Sequence, residues 1–455
     1  MRKPKQNSGA NVVQRLVIAG ALATGLGACA ATLERNGIAD ATLAENANVK
    51  NLPGVRFWGD EVPADPVAEI RRRTPSLPPI AKNAQRGGGR PIVETLALSG
   101  GGADGAFGAG MLAGWSARGD RPEFEIVTGV SAGAIIAPFA YLGPSQDEKL
   151  RRIWTEYKAS EVVTASILPG LFGGPALTDT TPLAKLIAEY IDRDMLQAIA
   201  TEYMRGRILM VLTTNLDAQR PVVWNMGEIA RQGSDEALDL FRKVIMASAA
   251  IPGAFPPVNI RVEANGKVYE ELHVDGGTTR ELFVLPVNAP FKSFDVLYPQ
   301  PPIRRLYIVK NGKVTPEQEV VKATTLTIAA RAISTLIKSQ NWTELYRIYR
   351  MAKDANADFN LMAVPASFTQ TTQQIYDPKY QKALYAEGIA SGQAGVWMKL
   401  PPGELPPTKP VTRASKPTPK VTTSKPSPAK APGPVPLNEL QAAPSSSWQP
   451  VASTN

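Results

Sequence analysis

Twice between residues 92 and 142 an apolar run of strand length breaks at a glycine turn and resumes as an Ala/Gly-rich stretch of helical length. Residues 92–99 lead into Gly100-Gly101-Gly102-Ala103-Asp104-Gly105 and a helical stretch over 106–117. Residues 124–128 lead into Gly129-Val130-Ser131-Ala132-Gly133 and a helix over 132–142. Strands that turn directly into helices pack as parallel βα units beneath a helical layer. Further strand-like runs at 207–213, 222–224, 268–274, 305–309 and 359–364 extend the sheet. A mostly helical stretch over 321–352 carries Leu326, Ala329, Ile333, Leu336 and Ile337 at helical spacing. The fold class expected is α/β, a largely parallel sheet covered on both faces. No internal repeat is present.

The two turns differ in what they offer chemically. Gly129-x-Ser131-x-Gly133 has the form of a nucleophile elbow, in which a serine on a strained strand-to-helix turn projects its hydroxyl at the edge of the sheet. The plain structural alternative is a helix-capping serine in a tight βα turn. The first turn, Gly100-x-Gly102-x-x-Gly105, also fits a dinucleotide fingerprint, which requires an acidic residue at the end of the next strand. Here Glu123 and Glu125 stand at the start of that strand, and its end is the serine elbow. Read as part of a hydrolase instead, a side-chain-free loop at a helix N-terminus exposes N–H groups suited to an oxyanion. A third glycine turn, Asp275-Gly276-Gly277, follows the strand ending in His273-Val274. It supplies a carboxylate that can approach another backbone closely, or else an ordinary turn aspartate.

Charge and cysteine usage narrow the function classes. The chain carries a net charge of +9, but residues 1–29 hold four basic residues and no acidic one, and residues 401–455 carry +4. Residues 30–400 are therefore left at +1, which removes the compositional case for a nucleic-acid partner. One Cys and one His exclude intramolecular disulfides and His/Cys zinc sites. The basic start followed by uncharged residues 16–28 reads as an export signal too short to span a bilayer as a mature helix. Leu26-Gly27-Ala28-Cys29 resembles a bacterial lipobox, so residues 1–28 are expected to be removed and Cys29 lipidated; an ordinary cleavage site is the alternative. Ala30 in place of aspartate favours the outer membrane. Residues 29–90, with Arg71-Arg72-Arg73 and Gly87-Gly88-Gly89, read as a tether and N-terminal extension. Residues 91–400 form the globular domain. Residues 401–455 hold 14 of the 40 prolines and are expected to be a disordered, polyproline-like tail.

Taken together, Leu98-Ser99-Gly100-Gly101-Gly102, Gly129-Val130-Ser131-Ala132-Gly133 and Asp275-Gly276-Gly277, in that order, resemble the patatin-like phospholipase family, in particular its bacterial lipoprotein members. The stretches 213–217 (TTNLD), 247–257 (ASAAIPGAFPP) and Tyr376-Asp377-Pro378 agree. The resemblance spans about residues 50–400. It implies a three-layer α/β/α patatin-like fold and a Ser-Asp dyad that cleaves lipid acyl esters with no metal or cofactor. By the same resemblance Ser131 matches the nucleophile, Asp275 the base, and Gly100, Gly101, Gly102 and Gly105 the oxyanion loop. The implied partners are a phospholipid or other lipid ester, and a membrane reached through the lipid anchor.

A dyad is also consistent with His273 and Asp275 lying two apart on one strand, side by side rather than in relay. Aspartate is the weaker base, near 3.9 against about 6.5 for histidine, which suits esters better than amides. On those ordinary values the acid limb of kcat/KM is expected well below the histidine range. The apolar segment 167–175 (ILPGLFGGP) is a candidate wall of an acyl channel or a packed loop. Rival readings are a non-catalytic envelope binding protein on the same fold and a nucleotide-dependent oxidoreductase.

Overall fold

The computed structural model describes residues 35–62, 89–157, 159–162, 164–165, 178–284, 291–318, 320–372 and 376–403, with Asp65, Val67, Ala68 and Arg71. The segment read as an export signal, with Cys29, the apolar segment 167–175 and the residues from 404 onward lie outside the described residues. The compact unit extends to Pro406, and Pro407–Asn455 forms a separate unit.

Ten strands build one sheet. In chain order they are β1 (Asn48–Val49), β2 (Arg56–Trp58), β3 (Ile92–Leu98), β4 (Ile126–Val130), β5 (Ile208–Asn215), β6 (Arg220–Asn225), β7 (Val258–Ala264), β8 (Lys267–Asp275), β9 (Ile303–Lys310) and β10 (Asp358–Ala363). Five of them run parallel in the order β10-β9-β3-β4-β5. Beyond β5 every pairing is antiparallel: β5 with β6 and β8, β8 with β7, β7 with β1, and β6 with β2. The sheet is thus mixed rather than uniformly parallel, because β7 and β8 form a hairpin and the N-terminal segment adds the two short strands β1 and β2. Residues 48–58, read from sequence as part of a tether, are built into the sheet.

The longer helices are α1 (Gly105–Arg118), α2 (Ala132–Leu142), α3 (Asp147–Thr155), α4 (Thr181–Tyr190), α5 (Arg193–Met204), α6 (Met226–Gln232), α7 (Asp235–Ser248), α8 (Thr325–Asp354) and α9 (Pro378–Ala394). Alternation along the central strands sorts their side chains between two cores. Leu96, Leu98, Val127 and Val309 pack with Phe107 and Met111 of α1, Ile136 and Phe139 of α2, and Leu384 of α9. Ala97, Leu306, Ile308, Phe359 and Leu361 pack on the opposite face under Leu345, Ile348, Tyr349 and Ala352 of α8. This is a three-layer α/β/α arrangement.

Of the apolar residues anticipated in the first half of α8, Ile333 and Leu336 are not on a core face. Ile333 is 40% exposed and Leu336 64%, whereas the sheet is covered by residues 345–352. Chain order continues past Leu400, which packs against that core, to the Pro402 carbonyl, which accepts a hydrogen bond from Tyr346 Oη at 2.7 Å.

Helix α9 begins at Asp377-Pro378, where the aspartate caps the amides of Lys379 and Tyr380 and proline occupies the first turn. It lies directly against α1: a Cβ on Gly110 or Gly114 would overlap the carbonyls of Tyr385 or Ile389, and one on Gly388 or Gly392 those of Phe107 or Met111. That close crossing fixes the start of α9 beside the first turn of α1. Among the described residues no helix is long and apolar enough to cross a membrane.

Candidate active site

Strands β4 and β8 run toward each other along the same edge of β5 and end one register apart. Val130 lies opposite Leu212, and Asp275 opposite Thr213. Two chain segments 144 residues apart are thereby brought tip to tip. Ser131 Oγ donates to Asp275 Oδ2 at 2.6 Å, and the other carboxylate oxygen accepts from the Gly277 amide at 2.7 Å.

Ser131 sits at φ 55° and ψ −122°, a region that costs a non-glycine residue about 1–3 kcal/mol. The strain is held by its surroundings. The Ser131 amide donates to Ser248 Oγ at 3.0 Å, and Ser248 donates on to the Leu212 carbonyl at 2.7 Å. Gly129 and Gly133 permit the turn, since a Cβ on Gly133 would overlap the Leu98 carbonyl and one on Gly129 the Gly133 carbonyl. Gly276 likewise passes too close to the Leu212 carbonyl to carry a side chain.

Of the four glycines anticipated as an oxyanion loop, two have their amides engaged. The Gly100 amide donates to the Glu281 carbonyl at 2.9 Å, and that of Gly105 closes a turn onto Gly102 and Ala103. Among the described residues, the Gly101 and Gly102 amides have no protein acceptor. Ala132, first residue of α2, has no preceding helical carbonyl for its own amide. Gly105 instead makes room for the Trp154 ring and for Ala132.

The loop is clamped by Asn311, at the end of β9. Its Nδ2 donates to the Ser99 carbonyl at 2.7 Å, its Oδ1 accepts from the Gly108 amide at 3.1 Å, and its own amide donates to Ser99 Oγ at 2.9 Å. At Gly101 a Cβ would overlap the Asn311 carbonyl oxygen. Beside it, Lys310 Nζ donates to Glu281 Oε1 at 2.6 Å, in a buried ion pair. Sequence reading missed Asn311, Lys310, Glu281 and the contact of Ser248. The available signal was Asn311-Gly312, another glycine turn at a strand end.

Burial pushes the Asp275 carboxyl up to about 7, with Glu281 adding to the rise and the bonds from Ser131 and Gly277 opposing it. An acid limb well below the histidine range, expected from the ordinary aspartate value, does not fit an aspartate so thoroughly removed from water. His273 is fully buried and turned elsewhere. Its Nδ1 lies 2.9 Å from Thr213 Oγ1 and its Nε2 3.0 Å from Glu271 Oε2, with the ring edge-on to Trp224. Burial lowers its proton affinity. Glu271 is disfavoured as an anion by burial, but Arg56, paired with it from β2, and His273 bring it down to about 2. His273 thus belongs to a buried array joining β2 to β8 and makes no bond to Ser131 or Asp275. Asp104, in the short turn before α1, is pushed up by burial to about 6 and accepts from Tyr380 Oη at 2.7 Å.

Among the described residues, two cavities reach Ser131. One, of about 100 Å³, is walled mainly by apolar side chains, among them Phe139, Ile153, Leu186, Ile187, Ile251 and Phe255. The other, of about 730 Å³, opens beneath the first half of α8 and carries Lys310, Lys313, Lys338, Glu281 and Glu317. Among the described residues no group of three His, Cys, Asp or Glu side chains could hold a metal ion.

The structure brings Ser131 and Asp275, from two of the glycine turns, together at the tip of a βα turn. Residues 96–288 match the family model described as Patatin-like phospholipase. The match takes in less than half of the 455-residue chain. Among solved structures, VipD from Legionella pneumophila is similar at a TM-score of 0.34 and 12% identity, over 66% of this chain and 66% of that one. No curated protein sequence matches the chain. The matched stretch contains the Gly129–Gly133 elbow and the Asp275-Gly276-Gly277 turn and ends before β9, so Asn311 and α9 lie outside it.

Proposed function

We propose that this chain is a lipid acyl hydrolase of phospholipase A or lysophospholipase type, acting through an acyl-enzyme on Ser131. The observation that carries the reading is the 2.6 Å bond between Ser131 Oγ and Asp275 Oδ2 at the meeting point of an apolar cavity and a charged cleft. As Ser131 Oγ attacks the ester carbonyl carbon, its proton passes to Asp275 Oδ2. The negative charge that develops on the carbonyl oxygen is met by the amides of Gly101, Gly102 and Ala132. Collapse breaks the bond to the alcohol, which takes the proton from Asp275. Water then attacks the acyl-enzyme by the reverse route and restores the serine.

The acyl chain occupies the apolar cavity and the polar alcohol portion the charged cleft. Asp275 serves as base where histidine commonly does because burial lifts its proton affinity toward that of an imidazole. Export and lipid anchoring through Cys29, to the outer membrane, complete the reading and would hold the enzyme at its lipid substrate.

Release of free fatty acid from phospholipid and lysophospholipid vesicles by the purified mature protein tests this. Turnover that disappears in Ser131→Ala supports it. Turnover that persists in a folded Ser131→Ala protein overturns the mechanism.

A further inference from the structure

The smaller cavity beside Ser131 contains polar groups whose bonding capacity is unspent. Gln381, in the first turn of α9, is completely buried, and neither its Oε1 nor its Nε2 has a hydrogen-bond partner. Trp154, at the end of α3, is 6% exposed, and its Nε1 likewise has none. Both side chains line this cavity together with Gly102, Ala103 and Ser131. The tyrosine hydroxyls on its walls are satisfied: Tyr190 Oη lies 2.9 Å from Tyr157 Oη, and Tyr376 Oη donates to the Ile153 carbonyl at 3.4 Å.

Leaving a buried amide unbonded is costly, and a leucine or methionine would fill the same wall without that cost. The backbone of Gln381 is held by the close α1–α9 crossing and by its own amide bond to the Asp377 carbonyl at 2.9 Å. The Trp154 ring rests in the space that Gly105 leaves open.

We infer that Gln381 and Trp154 recognise a hydroxyl group carried on the acyl chain of the substrate, so that the preferred substrates are hydroxyacyl esters. This rests on reading the apolar cavity as the acyl site. Gln381 Oε1 is an acceptor, and Gln381 Nε2 and Trp154 Nε1 are donors. A hydroxyl is both a donor and an acceptor, so it can bond either end of the Gln381 amide and still exchange a bond with Trp154 Nε1. A keto or amide carbonyl only accepts and leaves Gln381 Oε1 unbonded. A plain hydrocarbon chain leaves all three unbonded. Exchanging the oxygen and nitrogen of the glutamine amide does not change the count.

The test compares kcat/KM on acyl esters of one chain length, unsubstituted or bearing a hydroxyl at each successive carbon, for wild type, Gln381→Leu, Gln381→Met and Trp154→Phe. Wild type is expected to favour the hydroxylated ester by at least about tenfold at one position. The ratio falls to near one in the Gln381 variants and drops in Trp154→Phe. Gln381→Leu should melt no lower than wild type, since it removes an unbonded buried amide; a purely structural glutamine would cost stability when lost. A wild-type ratio near one at every position, as when water alone fills the site, overturns the inference. So does a preference that survives in a folded Gln381 variant.

Binding of the matching free fatty acids to Ser131→Ala separates the two readings. Tighter binding of the hydroxy acid without any ester turnover by wild type would retain this site and defeat the hydrolase assignment. Ser131-dependent turnover without a hydroxyl preference would do the reverse.

Discussion

Asp275→Asn should make the protein more stable while removing its activity. An aspartate near 3.9 in the unfolded chain and pushed up to about 7 in the fold contributes its full stability only below the lower value. It loses that stability as pH rises through the upper one. At 1.36 kcal/mol per tenfold, the loss relative to a permanently neutral side chain is about 1.5 kcal/mol at pH 5 and about 4 kcal/mol at pH 8. Asparagine is neutral and nearly isosteric. Its Oδ1 can still accept from the Gly277 amide, and its Nδ2 can donate to Ser131 Oγ, so the two bonds of the aspartate are kept with one reversed. Urea unfolding of wild type and Asp275→Asn at pH 5 and pH 8 measures the effect. The variant is expected to be the more stable protein at both pH values, with the gap wider at pH 8. Equal stabilities at pH 8, or a variant less stable there, would refute the argument that burial strains this carboxylate.

Further outcomes follow from the same geometry. His273→Gln should retain a substantial fraction of ester hydrolysis, and the acid limb of its kcat/KM profile should stay near pH 7, because Asp275 must lose its proton to act as base. A shift of that limb in the variant would make the histidine the titrating group. Gly101→Ala forces a Cβ onto the Asn311 carbonyl oxygen at φ 158°, and steady-state kinetics should show kcat reduced by at least about 100-fold, the scale of losing an oxyanion donor, with KM moved far less. Cys29→Ser should abolish incorporation of labelled fatty acid in cells and leave the protein soluble or unprocessed. Wild type that takes up no label would show an ordinary signal sequence. Truncation after Gly403 should leave activity on soluble esters unchanged, whereas truncation after Leu400 removes the Pro402 carbonyl that Tyr346 holds and should lower the melting temperature.

The parts of the candidate site legible in the sequence were its glycine turns, each of which also had a plain structural alternative. Apolar strands ending in glycine turns located Gly100–Gly102, Ser131 and Asp275, because such turns must appear wherever a backbone passes closer than a side chain allows. The meeting of β4 and β8 on one edge of β5 was not legible, since register between distant strands leaves no local mark. Nor were β1 and β2, two and three residues long, too short for alternation to emerge from a Pro- and Gly-rich background. The apolar spacing at Ile333 and Leu336 reads as a core stripe, but α8 reaches the sheet only with its second half, and the first half stands over the charged cleft. The elevated proton affinity of Asp275 was equally hidden, because burial is a property of the assembled layers. Asn311 and Gln381 are ordinary polar residues in sequence. Their significance comes from what they bond to in one case and from the absence of a partner in the other.

Ser131 as an activated nucleophile is the claim on which everything else depends, and covalent labelling addresses it directly. The purified protein would be treated with a fluorophosphonate, digested, and the modified peptide identified by mass spectrometry. A single stoichiometric adduct on Ser131, lost in Ser131→Ala and strongly slowed in Asp275→Asn, is the predicted result. No adduct on the folded wild type, or an adduct on another serine such as Ser99 or Ser248, would contradict it.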